Sequence, residues 1–422
     1  MGSVRQGGMW RAMVSLVVVI GLAGCWYQPG FGPHRSGHNG AERGLTIDNV
    51  ETLGQVWSVD LGDGAVLDPV VSRSGLHAVA GNVVHTRRLA TGVPLWSDEV
   101  IAPMNTEGPN LVSAPSVRGS QVLVPAVSMP LSPPVAGTGV HVYDAATGVE
   151  GPLLADVIAA QSVTVDGDTL VGNSYTHLIG FDYISFIEVI DPPSQTTWRS
   201  IHEFGGFDIQ QVTTASVGAD RIYVGVGARV EAYTREEPAG CQEPQPGVVF
   251  CPTEWDRSVV GRATVPVLSD DEQFVFVGDA AGVLWTFYAV NGDVAWQGIP
   301  AGGQIVAPPT VGDGMVFVGS ADGRLRAYSA GGCFARTCEP LWTAETGSSI
   351  TKQPALAGGV LYVGTEGGSV LAFDADGCGA ATCEPVWEAS TGTSPITGGP
   401  IVANGNLVVG TADGRLVAYR PG

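Results

Sequence analysis

Short apolar runs recur along this chain at a steady interval, each closed by a small residue and followed by a polar turn. Met315–Gly319 reads Met-Val-Phe-Val-Gly; Asp322-Gly323 interrupts, and residues 324–328 begin again with Leu325 and Ala327 on one face. Nearly the same text returns at 361–387 and at 407–419. Runs of this length, bounded by Gly and Asp, predict strands, and Asp-Gly supplies the positive backbone angles that a two-residue hairpin needs. Val316 and Val318 alternate with Met315 and Phe317, so both faces of that strand are apolar and both must be covered. The strand-closing positions are Gly81, Pro125, Gly172, Gly225, Gly278, Gly319, Gly364 and Gly410, spaced by 44, 47, 53, 53, 41, 45 and 46 residues. A second series interleaves with them: Trp57, Trp96, Leu153, Trp198, Trp255, Trp296, Trp342 and Trp387. A period of forty-odd residues built from short strands predicts a propeller or a solenoid.

The phase of the two series favours a propeller. The last unit stops at Tyr419 without a Trp, and the first opens on the Trp57 strand with nothing before it. An N-terminal strand that completes the last unit gives eight four-stranded antiparallel blades with no open edge. A solenoid would need capping repeats at both ends, and none is visible. The expectation is an all-β, eight-bladed β-propeller over 53–422, preceded by a tether and entry segment at 25–52 and a leader at 1–24. A Trp at one fixed place per blade buries a large plane against the next blade while its N–H finds a partner. Trp57, Trp96, Trp198, Trp255, Trp296, Trp342 and Trp387 are therefore the expected blade-docking residues. Between 130 and 251 the repeats lengthen and lose their regular Trp. Either drift with longer surface loops, or a binding face built from those loops, accounts for this.

Charge narrows the partners. Formal net charge is −21, and Lys352 is the single lysine. So acidic a surface repels phosphate backbones, which excludes nucleic acid as the expected partner. The start of the chain is a targeting segment. Arg5 and Arg11 precede a short apolar run at 13–22, and Leu22-Ala23-Gly24-Cys25 follows. This order resembles a bacterial lipoprotein signal, which implies acylation of Cys25, cleavage before it, and an exported chain held on a membrane. The six remaining cysteines fall into local pairs, Cys241/Cys251, Cys333/Cys338 and Cys378/Cys383, and an even remainder in an exported chain reads as disulfides. Each closes a short loop and constrains little chain entropy, so the pairs are expected to pin turns.

No catalytic text stands out. There is no Gly-x-Ser-x-Gly, Lys352 is not in a phosphate loop, and His202-Glu203 lacks the second His of a zinc-protease helix. His34 and His38 have a spacing that serves metals on a helix, but Gly and Pro around them forbid one. His77, His85, His141, His177 and His202 are scattered. Asp374-Ala375-Asp376-Gly377 lacks the later ligands of a calcium loop, and Asp270-Asp271-Glu272 reads as a solvated turn.

The entry text, with Leu45, Asn49, Val50, Leu53 and Trp57 in register, resembles that of bacterial propellers related to quinoproteins. Thr91-Gly92-Val93-Pro94-Leu95-Trp96, echoed by Asn291-Gly292 before Trp296, is similar to the tryptophan-docking motif of that family. Its enzymes hold pyrroloquinoline quinone against adjacent cysteines, a calcium ion and a catalytic Asp; this chain has no adjacent cysteine pair. In size, leader and repeat count it is more similar to the non-catalytic lipoprotein family of the outer-membrane barrel-assembly machinery. That resemblance implies a monomeric, cofactor-free scaffold that binds envelope proteins. A quinone-dependent oxidoreductase and a small-ligand sensor are the alternatives. Replacing Cys25 with Ala should move the protein from the membrane fraction to the soluble fraction; a variant that stays with membranes contradicts the acylation reading.

Overall fold

The computed structural model describes residues 25–101, 110–128, 137–154, 162–177, 183–191, 195–204, 212–236, 239–245 and 248–422. Residues 1–24, expected as a leader, lie outside them. The described chain is all-β apart from one 3-10 turn at Val50–Thr52. It forms eight sheets of four or five strands and one two-stranded hairpin. We number the sheets in chain order. Sheet 1 joins Val70–Val71, Leu76–Ala80, Val83–Arg87 and Pro94–Glu99 as an antiparallel meander. Sheets 2 to 7 span 110–144, 162–204, 216–258, 267–298, 310–345 and 355–390. Sheet 8 joins Ile396–Ala403, Asn406–Thr411 and Arg415–Pro421, and its fourth strand is Leu53–Asp60 from the other end of the chain. The eight strand-closing positions each fall in, or one residue past, the second strand of their sheet.

The first strands of successive sheets touch one another from sheet 1 through sheet 8. Sheet 8 meets sheet 1 through Thr397, whose Oγ1 donates to Val66 O at 2.9 Å, and through Gly399 N–H, which reaches Asp68 Oδ1 at 2.7 Å. Second strands are largely buried, as in Val360–Gly364, buried at every position, because they are covered on both faces; third strands also bury polar residues such as Glu231 and Arg326. Sheet 2 departs from the pattern. Where Leu153 takes the place of Trp, the described residues join the sheet through the isolated bridges Val140↔Leu154 and Tyr143↔Glu150.

Tryptophans join sheet to sheet. The indole N–H groups of Trp57, Trp96, Trp255, Trp296, Trp342 and Trp387 donate at 3.0–3.3 Å to carbonyls of Leu89, Ala145, Ala289, Ala330, Ala375 and Leu53, each in the following sheet or in the segment leading into its edge strand. Trp198 lies in the strand Gln195–Phe204, but its side chain falls outside the described residues. Five of these rings lie against a glycine in the next sheet's third turn: Gly92, Gly148, Gly292, Gly332 and Gly377, all at positive φ. A Cβ on Gly377 would come within 2.6 Å of the Trp342 ring. The Thr-Gly-x-x-x-Trp text thus carries two halves of two different contacts. Gly92 receives Trp57 from the preceding strand, while Trp96 reaches forward to Gly148.

All three cysteine pairs are bonded. Beyond pinning turns, their loops cover sheet edges. Thr337–Cys338 adds as a parallel strand to the outer strand of sheet 5. Thr343 of sheet 6 exchanges backbone bonds with Ala381 and Cys383 at 2.9 and 2.8 Å. The hairpin inside Cys241–Cys251 lies against the outer strand of sheet 3. An edge strand exposes unpaired N–H and C=O groups, and these loops occupy them.

Gly377→Ala should cost about 1–3 kcal/mol, through overpacking against Trp342 and a strained positive φ. Much of that loss should vanish in a Trp342→Ala background, measured as a double-mutant cycle by urea unfolding. Additive losses would contradict the contact.

Candidate functional site

Residues 25–52, expected as a tether, are bound into the fold. From Trp26 to Asn39 the segment crosses the first strands of all eight sheets in order. Trp26 O accepts from Val71 N–H at 2.6 Å, and Tyr27 O from Val117 N–H at 2.7 Å. The Gln28 side chain brackets the backbone of Val165, at 2.7 and 3.2 Å. Carbonyls of Pro33, His34, Ser36 and Gly37 accept from Val217, Leu268, Val311 and Leu356 at 2.8–3.0 Å. Asn39 Nδ2 donates to Val402 O at 2.8 Å. This strap is Gly- and Pro-rich because it must turn around the axis on which the first strands converge. Gly30 and Gly37 sit at positive φ, and the wall beside Gly37 leaves no room for a Cβ, with Pro354 O at 3.0 Å.

Polar strap residues are buried against the sheets. Glu42 is buried and accepts from the N–H groups of Arg43, Gly44 and Gly405. His34 Nε2 lies 3.2 Å from Glu272 Oε1, and the His38 ring lies 3.5 Å from Asp313 Oδ2 and 3.9 Å from Asp270 Oδ2. The neighbouring His38 ring holds the Asp270 carboxyl below its ordinary value against the opposing effect of burial. The acidic turn at 270–272, read as merely solvated, is therefore a docking point for the strap: Glu272, at φ 55°, also accepts from Ala219 N–H at 2.9 Å. Backbone bonding of this kind leaves no mark in residue types, which is why the sequence did not reveal it.

The strap floors a cavity of about 180 Å³ on the axis, lined by Trp26, Arg35, Asp68, Lys352, Gln353 and Pro400 among others. Arg35 is buried in the floor. Its Nη1 donates to Pro29 O, and its Nη2 to Thr164 Oγ1 at 2.8 Å and Val163 O at 3.3 Å. Burial draws the guanidinium down to about 10, with Asp68 opposing, so it is charged at neutral pH. Cys25, the first described residue, is buried, and burial pushes its thiol up.

The other candidate groups stay apart. His77 is fully buried between Ser72 Oγ and Thr86 Oγ1, at 2.7 Å from each. His85 lies on the adjacent strand of the same sheet. His141 Nδ1 pairs with Glu150 Oε1 at 2.6 Å in sheet 2. The side chains of His177 and His202 lie outside the described residues. Asp374 caps its own hairpin, accepting from Asp376 N–H at 3.0 Å. Among the described residues no three His, Cys, Asp or Glu side chains are placed to hold a metal ion. The irregular stretch 130–251 contributes the last strand of sheet 2, sheet 3, the first three strands of sheet 4 and the Cys241–Cys251 hairpin; much of its loop text lies outside the described residues. One surface feature escaped the sequence. Phe334, at the tip of the Cys333–Cys338 loop, is fully exposed and sits at φ 61°. The sister loop Cys378–Cys383 has Gly379 at that place, at φ 74°.

Residues 252–332 and 332–421 match the family model described as outer membrane protein assembly factor BamB. That match covers residues 252–421 of the chain. The BamB protein of Shewanella oneidensis is 40% identical over 55 residues, a match covering 13% of this chain and 14% of that protein's length. Among solved structures, BamB from Moraxella catarrhalis is similar at TM-score 0.59 and 16% identity, over 87% of this chain and 99% of that one. Quinohemoprotein alcohol dehydrogenase from Comamonas testosteroni is similar at TM-score 0.67 and 14% identity, over 97% of this chain and 82% of that one. The computationally designed Ika8 protein is similar at TM-score 0.63 and 16% identity, over 87% of this chain and 100% of that one. At these identities the structural likenesses establish the propeller-type fold alone.

Burial holds His77 down at about 3 in the folded chain, from an ordinary value of 6.5. Between those values the unfolded chain binds a proton that the folded chain does not, so stability contributed by this site is lost as pH falls from about 6.5 toward about 3. His77→Gln should flatten the pH dependence of the urea midpoint in that window, by about 1.4 kcal/mol per pH unit for one proton. Identical slopes would contradict the burial.

Proposed function

We propose that this protein is a non-catalytic cell-envelope lipoprotein that binds other envelope proteins. The proposal takes its eight sheets as the blades of one closed propeller, fastened where Leu53–Asp60 pairs with Arg415–Pro421, and Cys25 as its lipid anchor. The observation that carries the reading is the match of 252–421 to an assembly-factor family model. Partner binding falls to the outer rim, where Phe334 replaces the glycine that its sister loop uses. A bulky side chain at positive φ costs of order 1–3 kcal/mol, and such positions collect at functional sites. Its disulfide-closed loop presents the ring with little ordering left to lose, and the exposed Arg336 stands beside it. Aromatic and Arg side chains of this kind dominate protein interfaces.

A photo-crosslinking residue placed at 334 in the full chain, in intact envelopes, tests this. A discrete crosslinked protein at 334, absent when the same residue is placed at 379, is expected. No adduct, or equal adducts at both loops, counts against Phe334 as the anchor. The structural likeness to quinohemoprotein alcohol dehydrogenase keeps one enzymatic alternative in play. Purified protein supplied with pyrroloquinoline quinone and calcium should show no saturable dye-linked alcohol oxidation; such activity would overturn the non-catalytic reading.

A further inference from the structure

Between the expected lipid anchor and the fold there is no slack. Trp26, the residue after Cys25, already bonds to sheet 1, where its carbonyl accepts from Val71 N–H at 2.6 Å, and Tyr27 O accepts from Val117 N–H of sheet 2. A spacer would add about 3.5 Å of reach per residue, and no residue is left to serve as one. Both amides stand near the ends of first strands, close to the turns into the second strands. The strap therefore lies at the end of the sheets that carries the first and third turns. Leu76, just past the first turn of sheet 1, pairs with Arg87, just before the third.

Charge divides this end by sector. Arg73 lies in the first turn of sheet 1 and Arg118 beside that of sheet 2, while Arg88 and Arg420 stand at the same end of sheets 1 and 8. Arg73 is close enough for its charge to act on the Cys25 thiol. Arg420 reaches across to Ala90 O in the third turn of sheet 1 at 3.0 Å, which joins sheets 8 and 1 into one surface. Arg118 and Arg420 also donate to the neutral oxygens of Gln121 and Asn406. Among the described residues neither they nor Arg88 form an ion pair, whereas Arg221, Arg257, Arg324 and Arg326 of sheets 4 and 6 all pair with carboxylates. The first turns of sheets 3 to 6 instead carry exposed Asp168, Asp220, Asp271 and Asp313. The basic sector also holds Asp48 and Glu51 in the entry segment, with Arg43, and Asp144 in the third turn of sheet 2.

We infer that this end of the protein rests directly on an anionic lipid surface, with sheets 8, 1 and 2 against the headgroups and sheets 4 to 6 tilted away. The inference rests on the acylation of Cys25 proposed above. Acyl chains on Cys25 set the first turn of sheet 1 at the headgroups, and charges nearer than a Debye length, about 8 Å at physiological salt, feel an anionic surface. Arg73 and Arg118 are then attracted while Asp220, Asp271 and Asp313 are repelled, and the difference sets the tilt. Attraction must be local, because the protein as a whole carries −21 and is repelled by such a surface. A lipid anchor is strengthened by a basic patch beside it, since the two signals act together. Tilt in this direction keeps the rim of sheet 6, with Phe334, clear of the bilayer and open to partners.

Quenching by a headgroup probe reads the orientation. Protein purified from membranes is placed on phosphatidylcholine vesicles that contain phosphatidylglycerol and a nitroxide-headgroup lipid. A bimane dye is attached at one of three exposed positions: Ser120→Cys in the first turn of sheet 2, Asp220→Cys in that of sheet 4, or Asp63→Cys, which lies against Gly81 in the second turn of sheet 1, at the opposite end. Quenching should be several-fold stronger at 120 than at 220 and absent at 63. The difference between 120 and 220 should shrink on pure phosphatidylcholine. Arg73→Glu with Arg88→Glu, both at exposed positions, should remove the same difference with the melting temperature little changed. The mass of the N-terminal peptide separates the two readings: an unmodified Cys25 overturns the anchor and the inference with it. An acylated Cys25 with equal quenching at 63 and 120 overturns the inference alone. Equal quenching at 120 and 220 on the anionic vesicles, or a difference that survives in the double arginine variant, overturns sheets 8, 1 and 2 as the contact sector.

Discussion

One extended segment bonds to every sheet. Fourteen or so residues, Trp26 to Asn39, give a backbone or amide hydrogen bond to the first strand of each of the eight sheets in sequence. First strands near an axis have spare N–H groups that no neighbouring strand can reach, and burying them unpaired costs free energy. The strap satisfies them one sheet at a time. It therefore ties the relative rotation of the sheets to one continuous chain, and it converts an open axis into a floored cavity with Arg35 and Trp26 in its base.

Around that centre, each sheet is held by contacts that look outward and forward. A Trp gives its N–H to a carbonyl in the next sheet and lays its ring on a glycine that cannot be enlarged. Beside Leu153, which stands in the Trp series, the described residues pair with sheet 2 through two bridges, Val140↔Leu154 and Tyr143↔Glu150. Edges matter as much as faces. Three disulfide loops lie over the outer strands of sheets 3, 5 and 6, so the small loops serve to prevent stray pairing as well as to stiffen turns.

What was legible in the sequence follows from what each contact requires. The repeat was legible because strands covered on both faces need apolar residues at every position, as in Val360–Gly364. The docking tryptophans were legible because only a large ring fills that gap, and the swapped strand because one Trp stood out of phase. The strap was not, since carbonyls of Pro33, Ser36 and Gly37 would bond equally well from other residues. The role of Glu272 was hidden for the related reason that an acidic turn looks solvated until its partner, His34, is placed 238 positions away in the chain. Phe334 was missed because a single exposed aromatic carries no periodicity; comparing the two cysteine loops, Phe334 against Gly379, would have exposed it.

The account rests on the strap acting as one unit across all eight sheets. Hydrogen exchange at the amides of Val71, Val117, Val217, Leu268, Val311 and Leu356 measures this directly, comparing a chain that starts at Cys25 with one that starts at Ala41. Protection at all six should fall together when the strap is absent, while second-strand amides such as Val363 keep theirs. Protection that persists at most of these sites without residues 25–40 would contradict the claim that the strap secures them.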